Sequence, residues 1–167
     1  CDLFGPGRGT GKVASLLASA GVVGVWGNHD IGVCHEVSDE IRLRAEPHVL
    51  AYMSGMRPRL ELGGCHFSHV EPWLDPMSVL DLWYFDGPPD SPEKAARSFA
   101  AVPHGVIFLG HFHKWLVMSD EGRVEWDAVT PLVLPAARRY VVVVGPLVSG
   151  QFGIYDTHTR VLTPFRC

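Results

Sequence analysis

The sequence predicts an α/β fold. Continuous apolar runs of strand length occur at residues 22–26, 106–109 and 140–144, helix start signals lie between them, and helices dominate early while strands dominate late. Runs of four or five apolar residues suit strands buried on both faces. The chain has 167 residues, 47% hydrophobic and 19% charged, which supports a core for one domain and too little for two. No internal repeat, linker or low-complexity tract divides it, so residues 1–167 read as a single domain.

The elements follow in order. After the glycine-rich loop of residues 5–11, residues 12–20 form a short helix closed by Gly21. The run 22–26 is a strand that ends in Gly27-Asn28-His29-Asp30. Ser38 caps a helix whose first turn holds Asp39 and Glu40, where the dipole favours negative charge. A further helix covers residues 48–56. Residues 59–62 and 65–68 form a β-hairpin around Gly63-Gly64. Residues 69–92, with five prolines and several aromatics, form a long loop. Ser91-Pro92-Glu93 starts a helix that runs to about residue 102. The strand 106–109 ends in Gly110-His111-Phe112-His113. Residues 115–119 and 123–126 make a hairpin around Asp120-Glu121-Gly122, and 140–144, 153–155 and 160–163 supply the last strands.

Bulk properties narrow the function. A net charge of −4 lacks the basic surface that binding to nucleic-acid backbones requires, so no stable nucleic-acid partner is expected. No run reaches the roughly 20 apolar residues of a membrane span, and no basic segment followed by an apolar stretch opens the chain. Cys1, Cys34, Cys65 and Cys167 show no CxxC pairing and read as reduced thiols. These features lead to the expectation of a cytoplasmic protein. Nothing in the sequence sets the oligomeric state. The first residue is not Met, and Cys1-Asp2-Leu3-Phe4 reads as the end of a strand, so the sequence opens inside a fold.

Polar clusters at Asn28-His29, at His69 and at His111/His113 each follow a strand directly, and Asp2 follows a fourth strand end. Residues just beyond strand C-terminal ends converge in open α/β sheets. Asp, Asn and His donors suit Mn, Fe, Zn or Ni better than Ca. His-x-His on an extended segment would aim both rings to one face.

GNHD at 27–30, His69 after a strand, and GHFH at 110–113, in that order, resemble the calcineurin-like metallophosphoesterases. Asp2, followed by LFGPG, resembles the second-motif aspartate of the bacterial phosphodiesterase-like branch, with Cys1 where Gly is usual. VVVVGPLVSGQFGIYD resembles the family's late strand and hairpin. The resemblance implies a two-sheet sandwich flanked by helices, with metals at one edge, and hydrolysis of phosphomonoesters or phosphodiesters at a dinuclear centre, Mn being favoured among the candidate ions. It implies that Asp2 bridges the two ions, that Asn28, His69 and His111 complete one site, and that His113 joins Asp2 at the other. His29 would lie beside the scissile phosphate and Asp30 would orient it. The substrate would be a small phosphate ester, a nucleotide among the candidates. The family's D-x-H motif should precede Asp2 and is not present, so the chain reads as truncated, with its first strand or strands missing. A non-catalytic scaffold or inactive fragment of the same fold is the alternative.

Other motifs carry less. GPGRGTGK fails as a phosphate-binding P-loop, with Pro6 where Gly is needed and Val13 after Lys12. Asp156-Thr157-His158 also reads D-x-H but falls between two strands as a hairpin turn. His35, His48, His66 and His104 have no recruiting spacing and read as surface or packing residues. Arg138-Arg139 reads as solvated surface. Trp73, Trp83, Tyr84 and Phe85 either line a substrate pocket or pack their loop down.

Overall fold

The structure, a computed structural model, describes residues 9–167. The first third is helical: α1 (Thr10–Ser19), α2 (Ile31–Cys34), α3 (Asp39–Arg44) and α4 (Pro47–Met53). β1 (Arg59–Leu62) and β2 (Cys65–Ser68) follow, then α5 (Val79–Leu82) and α6 (Pro92–Ala101). The remainder is mostly β: β3 (Val106–Leu109), β4 (Leu116–Ser119), β5 (Gly122–Arg123), β6 (Leu132–Val133), β7 (Tyr140–Val143), β8 (Gln151–Asp156) and β9 (Val161–Arg166).

The strands form two sheets, one of six strands in the order β1-β2-β3-β7-β4-β5 and one of three in the order β6-β9-β8. At the centre of the larger sheet, β2, β3 and β7 run parallel, with Ser68 opposite Leu109 and Leu109 opposite Val143. Their C-terminal ends are therefore level. Residues two apart share a face, and the core divides accordingly. Val106, Phe108 and Val142 point to the smaller sheet, where they meet Leu134 and Leu162, and the Phe108 and Tyr155 rings lie 5.4 Å apart. Ile107, Leu109, Val141 and Val143 point the other way, against Ala95 and Phe99 of α6. This is the two-sheet sandwich with flanking helices. A third apolar cluster, around Trp26, Val49, Met53 and Leu82, joins the early helices to the loop after β2.

Local signals explain most boundaries. Ser38 and Ser91 accept from the amides of Ile41 and Lys94, both at 3.3 Å, and so satisfy donors at the starts of α3 and α6. Gly63 and Gly64 have φ of 57° and 75°, the pair of positive values that a two-residue hairpin turn demands. Asp156 accepts from the amides of His158 and Thr159, so Asp156-Thr157-His158 is the β8–β9 turn.

The expected strand at 22–26 is a correction. Only Val25 pairs, in an isolated parallel bridge to Arg57. The next residue is Pro58, which has no N–H to extend the ladder. The short strand β6 escaped the sequence reading. Arg139 is a second correction: it is not solvated surface, because its guanidinium donates to the carbonyls of Phe99, Val102 and His104 and ties the α6–β3 linker to β7. Arg138 pairs with Glu121. Among the described residues, Cys34, Cys65 and Cys167 are all free thiols, and no helix is long and apolar enough to cross a membrane.

Candidate functional site

Because β2 and β3 are parallel neighbours in register, His69 and the 110–113 segment leave the sheet side by side. Gly110 N–H donates to the His69 carbonyl at 3.0 Å and locks the two exits together. The Val25–Trp26 segment brings Asn28 to the same edge. The side chains converge: Asn28 Oδ1 lies 2.8 Å from His69 Nε2, and His69 Nε2 lies 3.2 Å from His111 Nδ1. Asn28 and His69 are buried.

Burial first, and then the neighbouring imidazoles of His111, His113 and His29, push the His69 pKa down to about 2. The ring is neutral throughout the physiological range, the form in which imidazole binds a metal. Three donor atoms, an amide oxygen and two imidazole nitrogens, thus share one small volume. That donor set and neutral state fit a divalent transition metal.

The other expected residues fall around this group. His29 is exposed on the turn that begins at Asn28. Asp30 is fully buried, and its Oδ2 accepts from the Gly27 amide at 2.9 Å, which folds the GNHD turn onto itself. Asp2 lies outside the described residues. The extended conformation expected for His-x-His is corrected: His111 and His113 have φ of 61° and 51°. Such left-handed backbone costs a non-glycine residue roughly 1 kcal/mol or more and concentrates at functional sites. His113 is exposed and lines a groove with Trp115 and Gln151.

The loop after β2 supplies an aromatic rim. The Trp83 ring is 4.9 Å from His29 and edge-on, and Phe85 is 5.8 Å from His111. Both are exposed. Trp73 instead packs its loop down, between Tyr84 at 5.7 Å and the Arg97 guanidinium at 3.6 Å. The four loop aromatics therefore divide between rim and packing, a division that spacing alone does not reveal.

Parallel strands and the Val25–Trp26 segment thus deliver the Asn28, His69 and His111 side chains to one edge of the larger sheet. Among solved structures, the chain is similar to the crystal structure of a metallophosphoesterase from Sphaerobacter thermophilus, with a TM-score of 0.77 and 19% identity over 99% of this chain and 74% of that one. The likeness establishes the fold. The sequence matches no protein-family model, and comparison with curated proteins finds no relative.

Proposed function

We propose that the chain hydrolyses small phosphate esters with two divalent metal ions, Asn28, His69 and His111 completing one site with Asp2 and His113 sharing Asp2 at the other. The observation that carries this reading is the convergence of Asn28 Oδ1, His69 Nε2 and His111 Nδ1 on one point. When bound, the ions would polarise phosphate oxygens and acidify a water to hydroxide near neutral pH.

The chain's own groups do the rest. His29 is exposed at the mouth of the cluster, where its ring can donate to a phosphate oxygen or protonate the leaving oxygen. Asp30 holds the turn that presents it, through the Gly27 amide. Trp83 limits the ring's movement on one side. The exposed rings of Trp83 and Phe85 suit an ester with a flat aromatic group, such as a nucleotide base.

Turnover of bis-p-nitrophenyl phosphate by the purified chain with Mn²⁺ tests the reading. The expected result is metal-dependent release of nitrophenol that His29→Ala lowers by about 10²–10⁴-fold. Metal binding without turnover would favour the scaffold alternative.

A further inference from the structure

The larger sheet carries a second cluster of metal-ligating side chains, on β2 but away from the edge described above. His66 lies opposite Glu61 in the β1–β2 register, and the α6–β3 linker brings His104 beside them. One ligand atom from each of Glu61, His66 and His104 lies within 4.8 Å of the other two. The His66 and His104 rings are 5.5 Å apart, and His104 Nε2 is 3.6 Å from Glu61 Oε2.

The state of His66 points to a ligand. Its side chain is 1% exposed, yet neither ring nitrogen has a hydrogen-bond partner, and His104 Nδ1 also lacks one. A buried polar atom left without a partner costs roughly 1–3 kcal/mol, and polar groups in native cores are nearly always satisfied. The cluster is also held in place. Arg139 donates to the His104 carbonyl at 3.1 Å, to the Val102 carbonyl of the same linker and to the Phe99 carbonyl in the last turn of α6. Arg59, the nearest cation of β1, is engaged elsewhere, with the carbonyls of Pro72 and Leu74.

We propose that Glu61, His66 and His104 form a separate binding site for a zinc-class divalent ion, clasping β1 and β2 to the α6–β3 linker. Two neutral imidazoles and a carboxylate are a common zinc donor set that leaves a fourth position for water. Bound ligand atoms sit roughly 3.3 Å apart at ordinary zinc distances. Glu61 and His104 already approach to 3.6 Å, and the ligand atoms of all three residues lie within 4.8 Å of one another, so side-chain adjustments of about 1–1.5 Å bring the triad to that spacing.

Titration of the whole chain with Zn²⁺, and with Co²⁺ as a spectroscopic reporter, tests this. The wild type should take up one ion that gives the intense visible bands of four-coordinate Co²⁺. His104→Ala and Glu61→Ala should each lose that ion or weaken it by about 100-fold or more, while retaining Mn²⁺-dependent phosphoesterase turnover. Glu61 is exposed and His104 half-buried, and neither belongs to the apolar core clusters, so the Glu61 variant keeps the test readable if His104→Ala perturbs folding. The Zn²⁺-induced rise in Tm should vanish in both. Equal stoichiometry and affinity in the wild type and both variants would overturn the site. Loss of turnover in all three proteins would instead count against the proposed hydrolase and leave the metal result standing on its own.

Discussion

His66 and His69 sit three residues apart on one strand and its exit, each 1% exposed, yet their surroundings are opposite. His69 meets Asn28 and His111 at 2.8 and 3.2 Å, at the level edge of three parallel strands. His66 sits inside the sheet, with neither nitrogen hydrogen-bonded and one carboxylate and one imidazole nearby. Burial depresses both pKa values, to about 2 and about 4. Depth alone therefore does not distinguish the two. What separates the two is which strand ends converge, and on what.

Activity offers the largest contrast. Replacing His69 by Ala removes a ligand of the proposed centre, and kcat/KM for a phosphodiester should fall by more than about 100-fold. Replacing His104 should change it less than about 3-fold, since the 66–104 pair lies outside the strand-end cluster. Equal losses in steady-state assays would erase the distinction. Stability against pH is the next lever. In the metal-free protein the His66 pKa is lowered from 6.5 to about 4, by burial first and then by His104 and Arg59, against the opposing pull of Glu61. The unfolded chain therefore binds the proton that the native state refuses. Stability from this group is intact above pH 6.5 and is lost as pH falls toward 4, by roughly 3 kcal/mol in all. Urea denaturation of metal-free wild type across that window should show the loss, and His66→Leu should flatten the curve.

Much of the strand-end cluster was legible beforehand because it follows from chain order. The apolar runs ending in His69 and GHFH become the parallel neighbours β2 and β3 with level ends, whereas the run ending in GNHD reaches the same edge through only the Val25–Arg57 bridge. The left-handed backbone of His111 and His113 was not legible, since no residue type there requires it. Nor was the Glu61, His66 and His104 cluster, although half of it was implicit. A two-residue Gly63-Gly64 turn fixes Leu62 opposite Cys65, and hence Glu61 opposite His66. The missing half is His104, whose place depends on Arg139 drawing the linker to the sheet from 35 residues away. Arginine paired with main-chain carbonyls leaves no pattern in sequence.

A subtler contrast separates the two histidines when each is made apolar. His66→Leu removes ring nitrogens that have no hydrogen-bond partner, so metal-free stability near pH 7 should rise by about 1–2 kcal/mol. His69→Leu deprives Asn28 Oδ1 and His111 Nδ1 of their contact and should lower stability by about 1–3 kcal/mol. Opposite signs in chemical denaturation would show that one buried imidazole is satisfied by protein and the other is held for a ligand. Two losses of similar size would mean that His66 is satisfied by water instead.

The smallest expected effect concerns the aromatic rim at the His69 end. Trp83 makes a T-shaped contact with His29 and remains exposed. If its ring stacks on a flat leaving group, Trp83→Ala should forfeit about 1 kcal/mol, or roughly a 5-fold rise in KM for an aryl or nucleotide ester. An alkyl ester offers no ring to stack and should keep its KM. Because the loop is also pinned by Arg97 on Trp73, the substitution should leave the loop in place and Tm within about 2 °C. A KM change of equal size for both ester types would assign Trp83 to positioning His29 and remove the case for an aromatic substrate.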